Sequence, residues 1–314
     1  MTMEDKTVEF KQVIRRGCGI DVHQKMVVAT IDGEGLQKET REYATFTSSL
    51  TELRDWLLEK GVTHAAMEST GVYWKPLYQI LEPTGIEVWI VNARHIKYVP
   101  GHKTDKQDSA WICKLLLAGL LKKSFVPPRE QRELRDLTRY RKKLKEQVAS
   151  EKNRIVRILE DCNVKLGSVL SSTQGVAATK LIDKLCRGER VTMEDAEQVY
   201  HGKMQCTVKD LYEACNSCLT EHHVYLLQMI RRNIAYTETV IAELDAKIRS
   251  RLMEYDDVMA LLGTVPGLNR TTTENLMAEI GFDMGAFPDE RHLASWAGMC
   301  PGNNESAGKK KADV

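Results

Sequence analysis

The 314-residue sequence has no apolar run close to the roughly 20 residues that a membrane span requires. Its opening stretch, MTMEDKTVEFKQVIRR, lacks the apolar centre of an export signal, so a cytoplasmic protein without membrane attachment is expected. A glycine-rich phosphate loop of the nucleotide-triphosphate type is absent. The net charge is only +1, so the whole-molecule field says little about partners. The eight cysteines are mostly scattered through apolar patterns and read as reduced, packed thiols. Cys215 and Cys218 lie near Cys206, His222 and His223, but they do not form the two clear ligand pairs of a structural zinc site.

What is present is an ordinary globular balance, 42% apolar and 28% charged, in a chain long enough for two domains or two plus a connector. The positive charge is local. Arg94 to Lys123 holds seven Lys or Arg against two Asp, and Arg129 to Lys165 holds twelve against seven acids. Lys309, Lys310 and Lys311 add a basic tail. Such stretches in a near-neutral protein fit a localised polyanion surface, although any single run is as often a solvated helix face.

Periodicity divides the chain into three parts. Residues 18–32 alternate and are rich in β-formers, Asp32-Gly33 signals a hairpin turn, and 36–46 return as a further strand. A helix over Ser48 to Lys60, a short strand His64 to Glu68, a helix Tyr73 to Leu81 and a strand Glu87 to Val91 follow, and Thr104 opens another helix. Hairpin strands followed by alternating helix and strand make an α/β domain with a mixed sheet, placed over 17–126.

Pro127-Pro128 ends that domain. Two long seams come next. Leu134, Leu137, Leu144, Val148, Ile155, Ile158 and Cys162 keep one heptad register, interrupted by Arg141 and Glu151. Leu227, Ile230, Ile234, Thr237, Ile241, Leu244, Ile248 and Tyr255 keep another. Two seams in one chain favour a long antiparallel coiled coil over 127–256, with intermolecular pairing as the competing arrangement and a mostly helical segment between the seams. The last part, 257–314, is mainly α. VMALLGTVPGLNRTTTENLMAEIG places a Pro-Gly turn between two helical patterns, as in a helix-hairpin-helix whose turn amides face a phosphate backbone.

Four acids carry the chemistry. Asp21 sits inside the first strand, where a charge is costly unless it is paired or bound to metal. Glu68 ends the apolar strand AAME. Asp105 and Asp108, three apart, share one face at the start of a helix. Carboxylates at neighbouring strand ends and on one helical turn can converge on a hard cation, Mg²⁺ or in its place Mn²⁺, which suits phosphodiester chemistry. Taken singly, each has a bland alternative: Asp21 as a turn residue, Asp105 as a helix-start acid favoured by the dipole. Nearby, His23 and His102 flank the acids, Tyr73 and Trp74 follow Glu68, and Arg94, Lys97, Lys103 and Lys106 lead into the acid pair as candidate backbone contacts.

With these residues in place the sequence resembles the DEDD transposases of bacterial insertion sequences, of the IS-one-ten type and its IS-eleven-eleven subgroup. The stretches that carry the likeness are GIDVHQKMVVATID, AMESTGVYW, VNARHIKYVPGHKTDKQDSAWICKLL, VPGLNRTTTENLMAEIG and LASWAGMCPGNNESAG. The resemblance implies an RNase H-like (RuvC-like) first domain with Asp21, Glu68, Asp105 and Asp108 as its acids. It implies a coiled coil and then a transposase domain whose nucleophilic serine matches Ser306. It further implies a covalent serine–DNA intermediate, a structured guide RNA, a homo-oligomer (dimer or tetramer) and work at the bacterial nucleoid. The acid and serine halves would have to meet, with the coiled coil setting the spacing. From its own surroundings Ser306 reads only as a loop serine.

In the family the serine is followed by further helices, whereas this sequence reads KKKADV and stops, so a truncated or frameshifted copy is the expectation. The leading function is therefore RNA-guided DNA recombination through serine. Two others stand beside it: a RuvC-like metal-dependent nuclease using water, and an inactive nucleic-acid-binding remnant.

Overall fold

The computed structural model describes residues 12–69, 71–92 and 108–299, together with the backbone of 305–306 and 309–310. The expected helix start at Thr104, and with it Asp105, His102, Arg94, Lys97, Lys103 and Lys106, lie outside the described residues. The chain divides into two compact units, 1–126 and 127–314.

The first unit is built on a sheet of six strands in the order β3-β2-β1-β4-β5-β6. These are β1 (Arg16–Val22), β2 (Met26–Gly33), β3 (Glu39–Ala44), β4 (His64–Glu68), β5 (Glu87–Val91) and β6 (Lys123–Ser124). β1, β2 and β3 form an antiparallel meander, β1, β4 and β5 run parallel, and β6 closes the edge antiparallel to β5. The expected mixed sheet is therefore present. The turn after Asp32 comes one residue later than the Asp-Gly pair suggests, because Gly33 still pairs with Arg16. β6 has no alternation long enough to read; it is a strand only because β5 offers it an edge.

Helices cover both faces, as parallel strands require. On one face α1 (Thr47–Glu59) and α2 (Trp74–Leu81) bury Leu50, Leu53, Trp56, Leu57, Leu77 and Leu81 against Cys18, Ile20, Ala65, Met67, Val88 and Ile90. On the other, α3 (Asp108–Leu117) buries Ile112, Cys113 and Leu116 against Ala66 and Val91. The period-2 alternation of the strands supplies both faces at once.

In the second unit α4 (Arg129–Asp161) and α9 (Glu221–Leu252) lie side by side and antiparallel. Ion pairs fix the direction: Glu133 with Arg251 at 2.8 Å, Arg141 with Asp245 at 2.7 Å, Lys152 with Glu238 at 3.2 Å and Asp161 with His223 at 3.1 Å. Leu144, Val148, Ile155 and Leu159 pack on Leu227, Ile230, Ile234 and Ile241. Tyr255, on the 3₁₀ turn that follows the helix, packs against the cluster of Leu134, Ile248 and Leu252. α9 ends at Leu252, and Tyr255 stacks on Phe282 with centroids 3.5 Å apart. Between the long helices sit α5 (Leu166–Val169), α6 (Val176–Cys186), α7 (Met193–Val199) and α8 (Val208–Ala214); α7 and α8 each begin with a Thr-x-x-Asp capping box.

At the far end α10 (Asp256–Gly263) and α11 (Arg270–Ile280) flank a turn at Pro266-Gly267, where Gly267 adopts φ +90°. Asn269 caps α11, and Met259, Met277 and Ala278 pack on Leu134, Ile248 and Leu252. Gln131 and Arg135 of α4 donate to the Ala278 and Glu279 carbonyls at the end of α11. Arg141 does not interrupt the seam as its charge suggests. It is 1% exposed and donates to Asp245, Glu274 and Asn275, tying three helices at one point. α12 (Glu290–Trp296) follows, and β7 (Glu305–Ser306) pairs antiparallel with β8 (Lys309–Lys310). Among the described residues no helix is long and apolar enough to cross a membrane.

Candidate active site

Three of the four acids are placed by backbone geometry alone. β1 and β4 run parallel, with Gly19 across from Ala66 and Ile20 across from Met67. One rung further on stand Asp21 and Glu68, at the carboxyl ends of adjacent strands. Ile20 and Met67 face α1 and α2, so by alternation Asp21 and Glu68 face the α3 side with Gly19 and Ala66.

Helix α3 comes close to β1 because Gly19 has no side chain. A Cβ there would stand 2.1 Å from the Ser109 carbonyl oxygen and 2.2 Å from the Cys113 amide nitrogen. Gly17 allows the same approach one turn later, beside Leu116 and Leu117. α3 therefore begins over the carboxyl end of β1, and Asp108, its first residue, arrives on the same side as Asp21 and Glu68. The buried Ser109 hydroxyl lies 2.7 Å from that of Thr30, which lies 2.8 Å from Thr40, so a chain of hydroxyls pins the start of α3 to β2 and β3.

Asp21 is 8% exposed. Burial pushes its carboxyl above the usual range; His23 opposes this, and the charges of Asp108 and Glu68 add to it. The His23 ring nitrogen Nε2 lies 2.8 Å from the Asp21 carboxylate. Asp108 and Glu68 are thus near enough for their charges to act on Asp21. Among the described residues, however, no three His, Cys, Asp or Glu side chains gather closely enough to hold a metal ion. Asp105, the fourth acid, lies outside those residues. Carboxylates are oxygen donors, a chemistry that suits a hard divalent cation rather than a soft one.

The surrounding residues separate by role. Trp74 is half-buried and meets Tyr78 edge to face at 5.6 Å, whereas Tyr73 is 42% exposed. Cys18 and Cys113 are buried, and burial pushes the Cys18 thiol up and the Cys113 thiol up to about 12, which disfavours the thiolate in both. Among the described residues no metal-ligand set lies around Cys206, Cys215 and Cys218. Cys206 and Cys215 are buried, Cys218 is exposed, and His223 closes the capping box of α9 at Thr220. Ser306 has its backbone on β7, opposite Lys309. Sequence reading missed Thr30, Ser109 and Gly19; only the Gly-x-Asp spacing around Gly19 hinted at a close approach.

A mixed α/β sheet with acids at its strand ends, followed by a mostly helical part, is consistent with a transposase. Residues 18–164 match the family model of DEDD transposases of the IS110 type, and residues 259–313 match the model described as "Transposase IS116/IS110/IS902 family". The chain belongs to this transposase family. It is also 31% identical over 86 residues to the pilin gene-inverting protein of Moraxella bovis, and likewise to that of Moraxella lacunata. Each match covers 26% of this chain, which spans about a quarter (26%) of the length of these relatives.

Proposed function

We propose that this chain is a DNA recombinase of an insertion sequence. In this reading its first domain is RNase H-like (RuvC-like), and Asp21, Glu68, Asp105 and Asp108 hold a divalent cation, Mg²⁺ or Mn²⁺. The single observation that carries the reading is the placement of Asp21 and Glu68 on the next rung of the parallel β1–β4 pair, with Asp108 opening α3 on the same face. The antiparallel meander leading into parallel strands supports the RNase H-like assignment. The family match supports the function, and so do relatives named as gene-inverting proteins, since inversion requires strands to be cut and rejoined.

A cation bound at the acids would stabilise charge on the phosphodiester undergoing displacement. The residues of the chain do the rest. Asp21, raised in pKa by burial, would gain more from a cation than Glu68 or Asp108, because of these three its charge is the least solvated. Ser306 supplies the attacking hydroxyl. Its oxygen bonds to phosphorus, the strand oxygen leaves, and the serine proton is released to solvent or to the leaving oxygen. The antiparallel pair α4–α9 is read as the coiled coil, α10–turn–α11 as a helix-hairpin-helix on DNA, and the basic sequence stretches 94–123 and 129–165 as contacts for a structured guide RNA. The domain limits are 17–126, 127–256 and 257–314, and the working form is a dimer or tetramer.

The test is an adduct assay on labelled DNA carrying the coding element and its flanks, with co-expressed RNA. Covalent protein–DNA adducts are expected with Mg²⁺, none with chelator, and none from Asp21→Ala or Ser306→Ala. Adducts that persist in Ser306→Ala overturn the serine assignment. Cleavage that needs Asp21 but not Ser306 establishes a water-using nuclease, and salt-sensitive binding without cleavage establishes a binding protein.

A further inference from the structure

The two long helices of the second unit are joined at one end by a backbone brace that brings two cysteines together. Cys162 caps the end of α4, and Cys218 lies in the stretch between α8 and α9. The Cys218 amide donates to the Cys162 carbonyl at 2.8 Å, and the Lys165 amide donates to the Ala214 carbonyl at 2.7 Å. The two stretches therefore run past each other as a short antiparallel ladder. One residue before Cys162, Asp161 pairs with His223 of α9 at 3.1 Å. Cys162 is thus tied to the start of α9 from both sides.

The hydrogen bond limits how far apart the two residues can be. With ordinary covalent geometry on either side of it, the α-carbons of Cys162 and Cys218 are at most about 6.7 Å apart. Disulfides span α-carbon separations of about 4.4–6.8 Å, so the backbone already stands within bridging reach. The side chains differ in access. Cys162 is fully buried, with Sγ 3.3 Å from the Leu159 carbonyl oxygen, whereas Cys218 is exposed. Burial holds the Cys162 thiol above its ordinary range, and the charges of Asp161 and Cys218 add to this, so Cys218 lies near enough to act on it. Cys215, three residues before Cys218, is the competing partner. It caps α8, its amide donates to the Tyr212 carbonyl, and burial pushes its thiol up to about 12.

We infer that Cys162 and Cys218 are an oxidisable thiol pair, which a low-molecular-weight disulfide such as glutathione disulfide converts into an intramolecular disulfide. The conversion is two exchanges. The exposed Cys218 thiolate attacks the small disulfide, forms a mixed disulfide and releases one small thiolate. Cys162 gives up its contact with the Leu159 carbonyl, and its thiolate attacks the Cys218 sulfur, closes the bond and releases the second small thiolate. Two protein thiols are oxidised, the small disulfide is reduced to two thiols, and the two protons pass to the released thiolates. The new bond turns 163–217, with α5 to α8, into a closed loop and locks the end of α4 to the start of α9. Ring closure removes freedom chiefly from the unfolded chain, so the oxidised form is the more stable one. The pair does not depend on the acids or on Ser306.

The experiment treats the reduced full chain with glutathione disulfide and reads non-reducing peptide masses, free thiols and the melting temperature. Wild type is expected to yield a linked Cys162–Cys218 peptide and two fewer free thiols. Its melting temperature should rise by roughly 5–15 °C and fall back with dithiothreitol. Cys162→Ser is expected to stop at a glutathione adduct on Cys218, and Cys218→Ser to form no link, both with an unmoved melting temperature. Cys215→Ser should behave as wild type. Each variant is compared with its own reduced form, so a stability change from the substitution itself does not enter; Cys162→Ala replaces Cys162→Ser if a buried serine unfolds the chain. Glutathione adducts without a linked peptide overturn the inference. So does a Cys215–Cys218 link, or a Cys162–Cys218 link that leaves the melting temperature where it was.

Discussion

Gly19 of β1 and Ser109 of α3 are in backbone contact: a single methyl group at residue 19 would stand 2.1 Å from the Ser109 carbonyl oxygen. No flexible side chain can yield there, since the nearest atoms are the helix backbone itself. Gly19→Ala must lift α3 off the strand, and with it the start of the helix that carries Asp108. The expected cost is at least about 1–3 kcal/mol, the usual penalty for overpacking a core. Chemical denaturation of the full chain measures it, and wild-type stability would refute the contact.

Asp21 presents the opposite case. Its carboxylate is buried and repelled by Asp108 and Glu68, so in metal-free protein it opposes folding. Asp21→Asn keeps the shape and removes the charge. It is expected to raise the melting temperature in chelator, within the about 0.5–2 kcal/mol typical of relieving a functional strain, while abolishing Mg²⁺-dependent adducts. Added Mg²⁺ should stabilise wild type and leave Asp21→Asn unmoved, a difference that a thermal-shift titration reads directly.

Arg141 stands in a buried network with Asp245, Glu274 and Asn275. Arg141→Met leaves Glu274, 3% exposed, without its main partner, apart from its link to Arg270. The expected loss is about 3–5 kcal/mol, as for a buried pair broken on one side. Arg141→Met combined with Glu274→Leu should recover most of it, because the buried Glu274 charge is then gone and only the more exposed Asp245 loses its partner. Denaturant midpoints of the single and double variants decide, and equal losses in both would contradict the account.

Asp195 gives a pH signature. The Lys184 ammonium beside it, together with the Thr192 amide and hydroxyl of the α7 capping box, holds its carboxyl down at about 2. A depressed carboxyl contributes stability above its ordinary value of 3.8, and that contribution is lost as pH falls through about 2. Carboxyl resonances followed by NMR should show Asp195 titrating near the low value in wild type. In Lys184→Met the midpoint should move up toward the ordinary range; an unmoved midpoint would exclude the ion pair.

Much of the fold was legible because local sequence carries it. Alternation in GIDV and VVATI, the helix stripe of Leu50, Leu53 and Leu57, and the seams from Leu134 and Leu227 are periodic, and periodicity is a property of neighbours. β6 was not legible, since two residues carry no period. Arg141 was misread because an arginine in an apolar seam looks like a break until Asp245 and Glu274, more than a hundred positions away, are seen to meet it. Tyr255 fitted the heptad count and packs with Leu134 and Ile248, but its stack on Phe282 is an attraction that no local pattern contains.

The sequence by itself determined which residues alternate, which form helices, and that Asp21 and Glu68 fall at the ends of apolar strands. Only the tertiary structure decided that these strands are parallel neighbours, which puts the two acids on one rung, and that α3 presses on Gly19, which brings Asp108 to them. It also decided that Trp74 turns inward and Tyr73 outward. The physical reason is the same in each case: hydrophobic periodicity fixes a face, whereas pairing partners, close backbone approach and charge burial depend on groups distant in the chain.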